Sequence, residues 1–149
     1  MSTKYIKLLD FDPEDDDILD DEVETDAEFA IDENYDESMK SLQHCVLNRL
    51  ICNVYYKAEQ NGVVLQGNRR IEPYTIGVSR KGHIVVRAWL LSGISKTGNE
   101  RINVTPGWRL FRVDRIYNIG VTYNTFTIPR KGYNKEDRGM SEIMQTANF

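Results

Sequence analysis

The 149-residue sequence predicts a mainly β domain with one helix, preceded by an acidic N-terminal tail. Three observations carry this prediction. Acidic residues crowd the first forty positions, one segment near residue 40 has helical spacing, and β-forming segments punctuated by turn residues follow residue 50. About five closely spaced strands favour a small closed β-barrel, because a short sheet gains most by removing its edges. The predicted domain covers residues 38–149, including a short C-terminal extension.

Residues 1–37 are predicted to form a solvated, disordered tail. Residues 1–40 contain 16 Asp/Glu and three Lys/Arg, a net charge of −13, whereas residues 41–149 contain 7 acids and 16 bases, a net charge of +9. Repulsion between like charges at this density outweighs the stabilisation that the few apolar residues of the tail could provide. The alternative is an arm that folds onto a partner or onto the basic body. The residues predicted to make that contact are Asp15, Asp16, Asp17, Ile18, Leu19, Asp20 and Asp21.

A helix is predicted to start near residues 36–38 and to end near Asn48. Asp36 or Ser38 can accept hydrogen bonds from the free backbone N–H groups at its start. The apolar positions that recur at helical spacing are Leu42, Cys45 and Val46. Cys45 is therefore expected to pack in the apolar stripe of this helix.

Five strands are predicted after the helix. They cover residues 50–58, 69–79, 83–91, 108–117 and 119–128. Pro73 should place the second strand on an edge or at a bulge, because proline has no N–H for the ladder. Residues 92–107 are rich in Gly, Ser, Thr and Asn and are predicted to form a long exposed loop. A short helix is predicted at residues 141–146.

The composition argues against several classes of protein. Two cysteines, Cys45 and Cys52, do not make a disulfide framework. No stretch approaches the ~20 apolar residues of a membrane span, and the N-terminus runs into acids instead of an apolar signal core. A soluble, cytoplasmic protein is expected, located in the host cytoplasm if it is viral.

Catalysis has little support in the sequence. His44 and His83 stand alone, and no phosphate-binding loop, nucleophile elbow or metalloprotease motif is present. The two histidines and two cysteines lack zinc-like spacing. We therefore expect that the protein is not an enzyme and that it has no catalytic residue, no bound metal and no cofactor.

Residues 109–116, Arg-Leu-Phe-Arg-Val-Asp-Arg-Ile, form the most informative segment. In a strand, arginines fall on both faces beside apolar side chains, as expected where a strand end leaves the core and lines a site. Asp114 is predicted to orient the guanidinium of Arg112 or Arg115. The alternative is that these arginines are surface residues with a structural ion pair.

This segment resembles the Arg-x-Phe-Arg-Leu-Asp-Arg-Ile signature near the end of WYL domains. Upstream, residues 70–74 (Arg-Ile-Glu-Pro-Tyr) resemble that family's Arg-x-Ile-Glu-Pro motif, and residues 54–56 (Val-Tyr-Tyr) resemble the strand before it. The resemblance covers about residues 40–128. It implies an SH3- or Sm-like barrel with a ligand pocket of arginines and aromatics. It also implies a role in sensing nucleic-acid fragments or nucleotides, typically for an attached DNA-binding domain or enzyme.

The sequence departs from the WYL pattern at two points. The Trp-Tyr-Leu tripeptide would fall near residues 84–86, which are Ile-Val-Val here, with Trp89 three residues further on. The winged helix-turn-helix that usually precedes a WYL domain has no counterpart in the acidic first forty residues.

The basic body combines arginines with aromatic residues, as sequence-tolerant single-strand binders do. Arginines donate to phosphates, and aromatic faces stack on bases at about 1–3 kcal/mol per base. Tyr55 and Trp108 are expected to pack in the core instead. The predicted ligand-binding residues are Tyr56, Arg70, Arg87, Trp89, Arg109, Arg112 and Arg115.

Two functions fit these features. The first is a non-enzymatic regulatory or accessory protein whose barrel binds nucleic acid or a nucleotide and modulates a separate effector protein. The second is a phage-type inhibitor, which acts as a nucleic-acid mimic through its acidic tail or as a sponge for a nucleotide signal. Neither function involves a membrane, and the sequence leaves homo-oligomerisation open.

Overall fold

The computed structural model describes residues 5–6, 33–60, 62–97 and 100–149. The elements in this part of the chain are β1 (Tyr5–Ile6), α1 (Tyr35–Asn48), β2 (Leu50–Gln60), β3 (Val63–Ser79), β4 (Ile84–Thr97), β5 (Glu100–Val104), β6 (Gly107–Arg112), β7 (Ile116–Thr125) and β8 (Met140–Thr146). A 3₁₀ turn, Val113–Arg115, separates β6 from β7. The predicted mainly β fold with one helix is confirmed.

Helix α1 begins earlier than its sequence predicts. Its N-cap is Asn34, whose carbonyl accepts the Ser38 N–H at 2.9 Å, so the predicted cap at Asp36 or Ser38 is wrong. Asp36 and Glu37 instead lie in the first turn, where negative charge interacts favourably with the helix dipole. The helix ends at Asn48, as predicted, and the next residue, Arg49, adopts a left-handed conformation with φ of 52°.

The apolar stripe of α1 packs on the sheet as predicted. Leu42, Cys45 and Val46 are buried in the main core. The Cys45 thiol hydrogen-bonds that of Cys52 on β2, which lowers the pKa of Cys45 and raises that of Cys52. Both thiols are free and buried. In the described part of the chain, no helix has the length and apolar character required to cross a membrane.

The strands form one sheet in the order β1-β5-β4-β3-β2-β7, with β6 beside β4 and β8 beside β3. The pairings are antiparallel apart from the parallel pair β1–β5. Within the described residues, this path ends at β1 and β7 without a closing pair. The predicted closed barrel is therefore not confirmed.

Strands β3 and β4 are each long enough to pair with two further strands in succession. In β3, residues 63–71 pair with β2 and residues 75–79 pair with β8. In β4, residues 85–90 pair with β6 and residues 94–97 pair with β5. Register shifts in β3 lie between residues 70 and 71 and between 73 and 75. Such bulges bend a strand and increase its twist. Pro73 lies at the second shift, which confirms the predicted bulge.

Three predicted segments take a different form. Residues 92–107 are not one loop, because Ser95 and Val104 are buried and the chain pairs as the β4–β5 hairpin. Residues 141–146 belong to strand β8 instead of a helix. A helix this short is marginal alone, whereas the edge of β3 offers backbone hydrogen-bond partners. The predicted strand 108–117 ends at Arg112, and β7 begins at Ile116.

Strand β2 shows how the sheet separates its two faces. The side chains buried in the core beside α1 are those of Cys52, Val54, Tyr56 and Ala58. Asn53 and Tyr55 alternate with them and therefore point to the opposite face. At β2 the main core therefore lies on one side of the sheet, and the opposite side carries polar side chains. Both faces are covered along β6, where every residue is buried.

The boundary at residue 37 differs from the prediction in two respects. Helix α1 already starts at Tyr35, and β1, inside the predicted tail, pairs with β5. The other predicted tail residues, including the contact set at 15–21, lie outside the described residues.

Candidate functional site

The face of the sheet opposite α1 presents polar side chains from four neighbouring strands. They form rows across β2, β3, β4 and β5, and successive rows are two residues apart along each strand. The first row contains Asn53, Arg70 and Ser92. The second row contains Tyr55, Asn68, Ile94 and Asn103, and the third row contains Gln66, Lys96 and Arg101. Since side chains alternate between the faces of a strand, all three rows lie on one surface. We call this surface the polar face.

A cavity of about 740 Å³ opens on the polar face. Its lining residues are Asn53, Asn68, Arg69, Arg70, Leu91, Ser92, Gly93, Ile94, Asn103, Val104 and Pro106. The volume lies within the ~300–1,000 Å³ that small-ligand sites occupy. Three amide side chains, one hydroxyl and two guanidinium groups give the cavity donors for phosphate oxygens and donor-acceptor pairs for base edges.

Arg69 reaches this cavity from beneath the sheet. It is only 2 % exposed, and it lies against Gly93, where an added Cβ would be 2.7 Å from the Arg69 Cδ. Its Nη1 donates to the carbonyls of Ile94 at 2.7 Å and Asn68 at 3.2 Å, and its Nη2 donates to the Ser95 Oγ at 2.5 Å. Gly93 therefore leaves the room that Arg69 needs beside the cavity.

The charge of Arg69 is not balanced by these contacts. All three acceptors are neutral, and no carboxylate from the described residues pairs with this guanidinium. Burial lowers the pKa of Arg69 to about 10, and the nearby charge of Arg109 acts in the same direction. The group is still protonated at neutral pH. A buried cation held only by neutral acceptors creates a positive potential in the cavity.

A smaller cavity of about 180 Å³ adjoins the first one. The two share Asn68 and Ile94, and the smaller cavity adds Tyr55, Gly67, Lys96 and Arg101. The cations that line the pair are Arg69, Arg70, Lys96 and Arg101. Among the described residues, no Asp or Glu lines either cavity. The charged residues that line the combined site are therefore all basic among the described residues.

The first strand lies beside this site. Tyr5 pairs with Asn103 and Ile6 with Val104, and both β5 residues line the larger cavity. The strand that precedes the acidic residues in the sequence therefore lies at the rim of the basic cavity.

Of the seven predicted ligand-binding residues, only Arg70 lines these cavities. The two adjacent tyrosines have exchanged the roles predicted for them. Tyr56 is buried in the core, where its hydroxyl accepts the Arg112 N–H at 2.9 Å, whereas Tyr55 is half-buried and lines the smaller cavity. Trp108 is buried, as expected.

Arg87 forms a buried ion pair with Asp137. Its Nε and Nη2 donate to the two carboxylate oxygens at 2.6 and 2.9 Å, and both side chains are almost fully buried. Asp137 also accepts the Gly139 N–H at 2.9 Å. This pair fastens the segment before β8 to β4, so Arg87 has a structural role.

The predicted cluster of Arg109, Arg112 and Arg115 also does not line the two cavities. Arg109 donates to the carbonyls of Trp108 and Thr105, and Arg115 is buried at the 3₁₀ turn. Arg112 donates to both carboxylate oxygens of Asp114 at 3.1 and 2.8 Å, as the sequence predicted for one of its two neighbouring arginines. The ion pair considered in the alternative is thus present, but the three arginines are buried and are not surface residues.

Trp89 belongs to an aromatic cluster at a different place in the sheet. Its ring meets Trp108 edge to face, and the Arg130 guanidinium lies 5.3 Å from its centroid. Arg130 donates to both carboxylate oxygens of Glu72 at 3.0 and 3.1 Å, and this bond raises the pKa of Arg130. The Tyr74 hydroxyl donates to Glu72 at 3.2 Å, and burial raises the pKa of Tyr74. Glu72 of the 70–74 motif therefore anchors the C-terminal segment.

Apart from Arg70, no residue of the polar face was among the predicted ligand contacts. The missed amide and cationic side chains of this face that line the cavities are Asn53, Asn68, Lys96, Arg101 and Asn103. Asn53 could have been found from its alternation with the apolar residues of β2. Lys96 and Arg101 could not be placed, because their segment was predicted to be a loop.

No family model, no curated protein and no solved structure matches this chain. The function is therefore inferred from the chemistry of the polar face.

Proposed function

We propose that this protein is a non-enzymatic, ligand-binding regulatory protein whose polar face binds nucleic acid or a nucleotide. Phosphate groups occupy the cavity beside Arg69 and Arg70, and the amides of Asn53, Asn68 and Asn103 contact the sugar or base. The bound ligand alters the affinity of the protein for a separate effector protein.

The observation that supports this proposal most strongly is the unbalanced charge of Arg69. A buried cation is ordinarily paired with an anion, because desolvation of an isolated charge is costly. Arg69 has only neutral acceptors in the described chain, and it borders a cavity that is open to solvent. An anionic ligand supplies the missing negative charge.

The WYL relationship belongs to the same proposal. Arg70, the first residue of the 70–74 motif, lines the cavity, and the motif at 109–116 contains the Arg112–Asp114 ion pair. An SH3- or Sm-like barrel is the architecture that this relationship implies. Ligand binding at the polar face needs only the β2–β5 portion of that architecture.

Replacing Arg70 by Ala is expected to weaken oligonucleotide binding by about 1.5–3 kcal/mol, the usual contribution of a hydrogen bond to a charged group. The loss arises because Arg70 borders the cavity as a phosphate donor. Fluorescence anisotropy with a labelled random oligonucleotide measures the change. Affinity should also fall steeply with salt, because bound phosphates release counterions.

Arg80→Ala is the matched control for this experiment. Arg80 is exposed at the turn between β3 and β4, so its removal changes the net charge equally without altering the cavity. Arg80→Ala should leave the affinity nearly unchanged. Equal losses in the two variants would mean that only the overall charge matters, and the proposed cavity would then be wrong.

We also propose that the acidic tail competes with the ligand for the polar face. Its strand β1 is fixed to β5 at the rim of the cavity, and a short tether holds the acids at an effective concentration of about millimolar. Asp15, Asp16, Asp17, Asp20 and Asp21 are the proposed contacts, supported by Ile18 or Leu19. The alternative is the phage-type inhibitor, in which the same acids occupy the basic groove of another protein.

Changing these five aspartates to Asn separates the two functions, and it leaves β1 and α1 intact. If the tail competes, this variant binds a random oligonucleotide more tightly than wild type at low salt, and the gain shrinks as screening increases. A titration at two salt concentrations measures it. Equal affinities at low salt would contradict competition and favour the inhibitor, whose activity should then depend on the aspartates.

A further inference from the structure

Two positive subsites lie at separate points on the polar face. Arg69 and Arg70 border the larger cavity, and Lys96 and Arg101 border the smaller one. Arg70 pairs with Ser92 on β4, four residues before Lys96. At ~3.3 Å per residue, Arg70 and the Lys96–Arg101 pair are about 13 Å apart along the sheet.

The second subsite carries its own indication of a ligand. Lys96 and Arg101 are direct cross-strand partners on β4 and β5, and both are exposed. Like charges directly opposite one another destabilise a strand pair. An anion bound between them removes this repulsion, as an anion at Arg69 balances the buried charge there.

Tyr55 lies in the row between the two subsites. Its ring lines the smaller cavity, next to the Asn68 and Ile94 that both cavities share. An aromatic side chain at this position offers a stacking surface for a base. Along the polar face, Tyr55 therefore lies between Arg70 and the Lys96–Arg101 pair.

We propose that the ligand is a single-stranded oligonucleotide of at least two nucleotides that spans both cavities. One phosphate binds at Arg69 and Arg70, a base stacks on Tyr55, and a second phosphate binds at Lys96 and Arg101. A mononucleotide fills only one subsite, because its phosphate cannot lie at two points about 13 Å apart. This inference rests on the proposed function and adds a minimum ligand length to it.

The test compares thymidine 5′-monophosphate with 5′-phosphorylated oligothymidylates of two and four residues, by calorimetric titration of the full chain. Wild type is expected to bind the longer probes at least about tenfold more tightly than the monophosphate, because the second phosphate forms additional hydrogen bonds to charged side chains. The double variant Lys96→Gln/Arg101→Gln should lose that gain and keep its affinity for the monophosphate. Arg80→Gln/Lys81→Gln, at the exposed β3–β4 turn, is the control with the same charge change.

The outcomes separate the two claims. Equal affinities for all three probes, with no effect of the Lys96/Arg101 change, would overturn the second subsite and leave the first intact. Equal losses in the Lys96/Arg101 and Arg80/Lys81 variants would also overturn it, because only the overall charge would then matter. Binding of none of the probes would overturn the proposed function itself.

Discussion

Asp137→Ala is expected to lower the free energy of unfolding by about 3–5 kcal/mol, because it leaves Arg87 as a buried charge without its carboxylate. Both partners are almost fully buried, and two hydrogen bonds of 2.6 and 2.9 Å join them. The same carboxylate accepts the Gly139 N–H, so the turn before β8 also loses a contact. Chemical denaturation monitored by circular dichroism measures the change.

Glu136→Ala is the matched control for this prediction. Glu136 is the preceding residue and is exposed, so its removal should alter stability by no more than about 0.5 kcal/mol. If Asp137→Ala were as stable as Glu136→Ala, the ion pair would not fasten the C-terminal segment to β4. The structural role assigned to Arg87 would then be wrong, and its role in ligand binding would need to be tested again.

Gly67→Ala is expected to destabilise the fold by about 1–3 kcal/mol, the usual effect of overpacking a buried site. A Cβ at this position would collide with the backbone carbonyl of Ile94, which cannot rotate away as a side chain can. That carbonyl is also an acceptor for Arg69. Moving it should therefore weaken oligonucleotide binding as well as the fold.

Gly120→Ala provides the comparison in another strand. The nearest atom to a Cβ at Gly120 is 4.0 Å away, so alanine fits there without displacing anything. Thermal unfolding of both variants should show a loss only for Gly67→Ala. A Gly67→Ala protein with wild-type stability and wild-type binding would contradict the close approach of β3 and β4 at this point.

The parts of the fold that the sequence predicted are those set by local periodicity. The stripe of Leu42, Cys45 and Val46 predicted α1, and Pro73 predicted a bulge in β3, because each signal acts through neighbouring residues. The β4–β5 hairpin was missed because the composition of residues 92–107 resembles a loop. Its strand pairing is set instead by burial of Ser95 and Val104, which is a tertiary effect.

The candidate site was predicted only in part, because the function of an arginine depends on distant partners. Arg87 is fifty positions from Asp137, and no local pattern indicates that they meet. Arg69 and Arg70 are adjacent, yet one is buried beneath the cavity and the other borders it from the polar face. Tyr55 and Tyr56 are neighbours in β2, and their side chains therefore point to opposite faces of the sheet. Tyr55 lines the smaller cavity, whereas Tyr56 is buried in the core.

The central claim is that the polar face of β2–β5 binds an oligonucleotide. The most direct measurement is amide chemical-shift mapping of the full chain as a short single-stranded oligonucleotide is added. The expected result is a saturable set of shifts at Asn53, Asn68, Arg70, Ser92 and Asn103, with little change along α1. Shifts confined to α1, or no shifts at millimolar oligonucleotide in low salt, would contradict the claim.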